Sequence, residues 1–228
     1  MTLILPQIGG FYVPADSDIE ASVTESPTRN KSGDVTTITL PGIALGADVT
    51  DREIFVVVSA FVSAGTFTGM TVGGVAASIE TQITEGLLLT GIFKASNVTG
   101  TTGDIVINFS NTTLRQRLGA QVVRVVKSGG TTTSDVATPV KSSSLTTITT
   151  SVSATANDLV IAGGGISGNA GQPSFTGVTA RATPYPDWDS GEYTPVGFSV
   201  SSTTETVSIS SVAAASINRH CLTAISIG

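Results

Sequence analysis

The stretch Asp51-Arg52-Glu53-Ile54-Phe55-Val56-Val57-Val58-Ser59-Ala60-Phe61 is a continuous apolar run bounded by charges. Alternation would mark a strand with one wet face, whereas an unbroken run of this length predicts a strand covered on both faces. Its β-branched content favours strand over helix, and the Gly and Thr that follow would stop a helix. A core centred on Ile54–Phe61 is therefore expected.

The pattern around it is β throughout from Val35. Ile38 and Leu40 alternate with Thr37 and Thr39 before Pro41-Gly42, which predicts a half-buried strand ending in a turn. Met70-Thr71-Val72 runs into Gly73-Gly74 and resumes at Val75–Ile79, as a bulge or tight turn within a hairpin would. Leu87 to Phe93 is a further near-continuous strand. Ile105, Ile107 and Phe109 share one face, and Val122, Val123, Val125 and Val126 fill Gln121 to Lys127.

Later strands are thinner: Leu145 to Val152, Asp158 to Ile161, Val196 to Val200, Thr206 to Ser210 and Cys221 to Ile227. They are poor cores alone and adequate partners for the first half. The Gly, Ser and Thr tract from Gly129 to Ser144 is accordingly expected as a crossover loop within one domain, not an interdomain linker. The best helical segment is Asn111 to Leu118, about two turns capped by Asn111 and ended by Gly119. The expected fold is all-β, an antiparallel two-sheet β-sandwich over 35–228, preceded by an extended N-terminal arm over 1–34. Ile4, Leu5, Phe11, Tyr12 and Val13 are the candidate anchors by which that arm would lie on a neighbouring subunit, the alternative being a frayed terminus.

Hydrophobic residues make up 40% of the 228 and charged residues only 12%, so hydroxyls must carry the surface. Such a surface lacks the charge that keeps free monomers soluble and points to assembly. A net charge of −6 and a pI near 4.6 offer no footprint for nucleic acid or an anionic membrane. Met1 to Pro6 has no basic n-region and does not read as a secretory signal, and no apolar run is long enough to span a bilayer. Cys221 is the single cysteine, so no internal disulfide forms.

A search for reaction chemistry returns little. His220 neighbours Cys221 in the last expected strand, where adjacent side chains point to opposite faces, so a thiol–imidazole dyad is not expected. A structural histidine and a buried, inert cysteine are expected instead, with no zinc site and no cofactor; carboxylates alone leave calcium open only in a loose sense. Gly163-Gly164-Gly165-Ile166-Ser167-Gly168 matches G-x-G-x-x-G after strand-like Asp158–Ile161, yet Asn169-Ala170-Gly171-Gln172-Pro173 continues as loop where a dinucleotide site needs a helix. Flexible turn glycines are expected.

The loop Pro184-Tyr185-Pro186-Asp187-Trp188-Asp189-Ser190-Gly191-Glu192-Tyr193 holds the only Trp and two of the three Tyr, with three carboxylates among them. Tyr185, Asp187, Trp188, Asp189 and Tyr193 are candidates for a subunit interface or for glycan binding, because aromatic faces accept sugar C–H groups while acids accept hydroxyls. The third alternative is that Trp188 plugs the end of the sandwich and the acids stay solvated. A glycosidase would need two carboxylates held across a cleft, which spacing alone does not establish.

The run Asp51–Val58, then Met70-Thr71-Val72-Gly73-Gly74-Val75-Ala76, then Thr101-Thr102-Gly103-Asp104-Ile105-Val106-Ile107-Asn108-Phe109-Ser110, resembles a group of phage and bacterial-surface β-sandwich modules. Ala156-Asn157-Asp158-Leu159-Val160 and Ala224-Ile225-Ser226-Ile227 follow in the same order. The resemblance spans about Val35 to Ile227, leaves out the arm, implies a jelly-roll-like sandwich and carries over no catalytic residues. It directs the expected function to a non-enzymatic phage structural protein that self-associates on the virion exterior, as capsid decoration or a head-spike component. Other virion proteins, such as the major capsid or tail protein, are the expected partners. The alternative is a tail-tip or cell-surface adhesin binding surface glycan through Tyr185, Trp188 and Tyr193. A carbohydrate-active enzyme is the third and weakest class.

Overall fold

A computed structural model describes residues 18–168, 173–180, 193–214 and 217–228, and every regular element in them is a strand. In chain order these are β1 (Ile19–Glu25), β2 (Thr28–Asn30), β3 (Thr37–Ala44), β4 (Arg52–Val62), β5 (Phe67–Val72), β6 (Val75–Glu85), β7 (Leu88–Ser96), β8 (Thr102–Phe109) and β9 (Thr113–Lys127). There follow β10 (Thr133–Val136), β11 (Val140–Ser142), β12 (Thr147–Ala154), β13 (Leu159–Ser167), β14 (Ser174–Thr176), β15 (Thr179–Ala180), β16 (Val196–Val200), β17 (Glu205–Val212) and β18 (Arg219–Ile227).

The first nine strands form one sheet in the order β1-β9-β4-β7-β6-β5-β8-β3, with β2 also on β9. A second sheet runs β10-β18-β13-β16-β15 with β11 on β18, and a third runs β12-β17-β14. The described strands thus form three antiparallel sheets where the sequence predicts two.

Core membership shows how these sheets are layered. Ile54, Val56, Val58, Ala60 and Val62 enter a core with Phe67, Leu89, Phe93, Ile105 and Ile107, enclosed by the first sheet as it curls on itself. Phe55 and Val57 point the other way, into a core shared with Leu159, Ile161, Phe198 and Ile225 of the second sheet. All eleven residues of β4 are buried, as the unbroken apolar run predicts. A third core of Ile148, Val152, Val160, Phe175, Ile209 and Leu222 joins the second and third sheets, so the later strands do close a core of their own as well as sharing one.

The curl nearly closes the first sheet. Across the gap between β1–β2 and β3, Arg29 Nη1 donates to Thr39 O at 2.6 Å, and the Ala44 amide donates to Glu25 Oε2. Ile19–Glu25 and Thr28–Asn30, inside the segment expected as an arm, are therefore wall strands, with Ile19 and Ala21 buried.

Three further expectations change. Asn111 to Leu118 is not helical: from Thr113 it belongs to the 15-residue β9, because Leu118, Ala120 and Val122 feed one core while Val123 and Val125 feed the other. Burial on two faces outweighs a short helix signal. Pro41-Gly42 makes a bulge inside β3 rather than its end, since pairing with β8 shifts between Leu40 and Ile43 and Gly42 takes φ +64°. The Gly129–Ser144 tract is not all loop, because β10 and β11 both pair with β18. The expected hairpin at Gly73-Gly74 is present, with Val72 opposite Val75 and φ of +56° and +83° at the two glycines.

Gly163, Gly164 and Gly165 are not turn glycines. They lie in the middle of β13, paired with Thr223, Leu222 and Cys221 of β18. A Cβ on Gly163 would come within 2.6 Å of Val57 Cγ1, and one on Gly165 would collide with Thr90 Oγ1 and Ser59 Oγ. Glycine here leaves the space that Val57, Ser59 and Thr90 of the first sheet fill.

Candidate functional site

Of the expected loop site, Tyr185, Asp187, Trp188 and Asp189 lie outside the described residues, as do the arm anchors Ile4, Leu5, Phe11, Tyr12 and Val13. Tyr193 is described, and it is buried. Its amide donates to Ile166 O at 2.9 Å and its carbonyl accepts from Ile166 N at 3.1 Å. The next residue ties this point to the first sheet, Thr194 Oγ1 donating to Gly119 O at 3.0 Å. Tyr193 is thus the root of the loop, not part of an exposed sugar platform.

The two segments singled out for contacts have well-defined starting points. The loop returns beside Ile166, near the end of β13, whereas the chain enters at Asp18–Ile19, where Ile19 pairs with Lys127. Asp18 and Lys127 line a groove with Asn157, Asp158 and Gly228, at the beginning of β13. The roots therefore lie at opposite ends of a nine-residue strand, roughly 26 Å apart at about 3.3 Å per residue.

At the arm end, an adjoining open groove of about 510 Å³ is lined by Ser134, Asp135, Ser153, Thr155, Asp158 and Glu205. Burial pushes the Asp158 carboxyl upward, but hydrogen bonds from Thr155, Ser226 and Ser134 prevail and hold it below the usual aspartate value. The Thr155 amide donates to Oδ2 at 3.0 Å and Ser226 Oγ at 2.9 Å. Asp158 so fastens the turn from Thr155, where Asn157 adopts φ +73°, to the end of β18. No three of the His, Cys, Asp or Glu among the described residues converge as metal ligands would.

Arg52 and Glu53, which bound the apolar run in the sequence, are themselves buried. Arg52 Nη2 donates to Val98 O at 2.6 Å and Gly100 O at 2.8 Å, while Nη1 reaches Gly46 O and Ala47 O. One guanidinium thereby pins two loops. Glu53 accepts from Ser96 Oγ at 2.7 Å, pairs with Lys94 Nζ at 3.1 Å, and takes both the amide and the hydroxyl of Thr131. Adjacency to an apolar run was the only sequence sign of this; the partners are mostly backbone groups that any residue could supply.

His220 and Cys221 point to opposite faces of β18, as strand geometry predicts. His220 Nε2 lies 2.8 Å from Ser211 Oγ and Nδ1 lies 3.3 Å from Leu145 O, toward the third sheet. Burial lowers its pKa to about 4 despite the Leu145 carbonyl. Cys221 faces Phe61 and Leu88, and burial pushes its thiol up to about 12. Neither group is placed to activate the other.

The surface feature that the sequence reading missed is the outer face of the third sheet. β12 alternates strictly, with Ile148, Thr150, Val152 and Ala154 buried and Thr147, Thr149, Ser151 and Ser153 exposed. Across from them on β17 stand Val212, Ser210, Ser208 and Thr206, and Thr149 Oγ1 lies 2.7 Å from Ser210 Oγ. The result is a ladder of hydroxyls, with Val212 at one end. Its signal in the sequence is the period-two pattern of Thr147–Ser153.

No helix among the described residues is long and apolar enough to cross a membrane. No family model matches the chain, and no curated protein does. Among solved structures it is similar to a crystal structure of a conserved protein of unknown function from Pseudomonas aeruginosa PAO1, at 8% identity and a TM-score of 0.28, over 92% of this chain and 83% of that one.

Proposed function

We propose that this chain is a non-enzymatic structural protein that self-associates on the exterior of a phage particle, as capsid decoration or a head-spike component. The observation that carries the reading is the placement of the arm and loop roots near opposite ends of β13, so that the two segments start from separate parts of the molecule. The buried ionisable groups favour a structural role, since Asp158, Glu53 and Arg52 each fasten loops or strands. The hydroxyl ladder of the third sheet suits a surface that is covered in an assembly. A jelly-roll-like wrap of the curled sheet, and association with capsid or tail proteins, belong to the same proposal.

Sedimentation velocity of the full chain across concentrations, followed by co-sedimentation with particles lacking it, tests this. Concentration-dependent self-association with particle binding is expected; a monomer that binds no particle overturns it. The burial of Tyr193 weighs against it as a contact residue in the interface and adhesin readings alike, and leaves both resting on Tyr185, Asp187, Trp188 and Asp189.

A further inference from the structure

We infer that β12 is a self-pairing edge, through which two copies join their third sheets antiparallel about a twofold axis at Thr149. This deepens the self-association proposed above by naming its surface, and does not depend on the particle.

Backbone parity comes first. The Ala213 amide donates to Thr146 O at 2.8 Å, in the same register that pairs β12 with β17. Residues 148, 150, 152 and 154 therefore turn their amides and carbonyls toward β17, while Thr147, Thr149, Ser151 and Ser153 turn theirs outward. The Ser153 amide confirms the parity by donating outward to Asp135 Oδ2 at 2.7 Å. At the other end, Ser142 Oγ accepts the amides of Ser144 and Leu145. Between these two caps, the outward groups of Thr147, Thr149 and Ser151 have no partner among the described residues.

The other terminal strands of the described sheets are shorter, interrupted or charged. Among the described strands, β3 carries the Pro41-Gly42 bulge and is covered by Arg29 and Glu25, β1 carries charges and a register shift, β10 is four residues long and carries Asp135, and β2, β14, β15 and β11 are two or three residues long. β12 is eight residues long, unbulged, and without charge or proline. An edge of that kind is a template for another strand.

A second copy fits it by symmetry. With Thr149 opposite Thr149 of the partner copy, Thr147 faces Ser151 and Ser151 faces Thr147, so all three residues exchange both backbone bonds and no donor is left over. The facing side chains are uncharged hydroxyls, which pair favourably across strands. The ends also match. Leu145 and Val136 are two of the three exposed large hydrophobics among the described residues. Leu145 precedes β12, and Val136 follows the Asp135 that caps Ser153. The twofold sets Leu145 of one copy opposite Ser153 of the other, beside its Val136.

The test uses the full chain. Thr149→Lys places two ammonium groups across the axis, and Thr149→Pro removes an outward donor while sparing the ladder to β17. Each should weaken self-association at least tenfold in sedimentation velocity with the circular dichroism spectrum unchanged. Thr149→Cys, which alters the fold least, should form a covalent dimer on mild oxidation, whereas Thr176→Cys on β14 should not; buried Cys221 does not compete. Association that survives Thr149→Lys overturns the assignment to β12 and leaves self-association standing. Sensitivity to Thr149→Lys without the Thr149→Cys dimer also overturns it, and indicates a strand donated by residues 1–17 or by another protein. A wild-type chain that stays monomeric at every concentration overturns both proposals.

Discussion

The hydroxyl of Ser59 donates to the carbonyl of Gly164 at 3.0 Å, linking the first and second sheets between residues 105 positions apart. Ser59 Oγ also lies 2.9 Å from Thr90 Oγ1, so the contact is a small polar network inside an otherwise apolar layer. It exists because β13 presents glycine there, and any side chain at Gly165 would occupy the space of the two hydroxyls.

Gly165→Ala should therefore destabilise the protein by about 1–3 kcal/mol through overpacking. Gly164→Ala should cost less, since its Cβ would meet Pro195 Cγ at 3.1 Å and Cys221 O at 3.3 Å, milder approaches than the 2.2 Å and 2.8 Å at Gly165. Urea midpoints of the two variants, compared with the wild type, check the order.

Val57→Asp should unfold the whole chain. Val57 is fully buried between the first two sheets, and an unpaired carboxylate there costs several kcal/mol, on the scale of a domain's entire stability. Limited proteolysis should yield no lasting fragment. A stable piece ending near Ser128 would show that the curled sheet stands without the shared core.

Stability should fall as pH drops from about 6.5 to about 4. His220 is held neutral in the fold with a pKa near 4, whereas the unfolded chain takes up a proton from 6.5 downward. Protons thus bind the unfolded state first, and stability is lost across that window, by on the order of 3 kcal/mol, then levels. Asp158 acts lower: its carboxyl is depressed, so its contribution is complete above the ordinary aspartate value of 3.8 and disappears as pH falls through its folded value. Thermal melts from pH 7.5 to 3 should show both stages, and His220→Gln should remove the first.

Cys221 should resist alkylation at pH 8 in the native protein, because its thiol is buried and pushed up to about 12. Full labelling should follow denaturation. Rapid native labelling would mean that β18 opens on the timescale of the reaction.

Arg52→Met should cost roughly 3 kcal/mol or more, as two loops lose the cation that satisfies their carbonyls at Val98, Gly100, Gly46 and Ala47. Hydrogen exchange should localise the loss to those loops before the sheets.

What the sequence disclosed depended on how local each cause was. The two-faced burial of β4 was legible because eleven neighbours share it. The strand identity of Gly163–Gly165 was not, because its reason is a contact with Val57, Ser59 and Thr90 that no local window contains. β9 was half-legible: Val122 to Val126 read as strand, while Asn111 to Leu118 read as helix until two cores claimed alternate residues. At the expected site, aromatic composition drew Tyr193 into a surface group, and only its bridge to Ile166 shows it as an anchor.

The curled sheet ends in a seam, and the seam has a mechanical consequence. Where β3 faces β1 and β2, two side chains do what a row of backbone bonds does elsewhere. What else holds the wall there is packing, since Ile38, Leu40 and Ile43 of β3 share one buried core with Leu118, Ala120 and Val122 of β9. Along this one line the sheet depends on side chains, two polar and the rest apolar, where every other neighbouring pair of its strands is stitched by backbone.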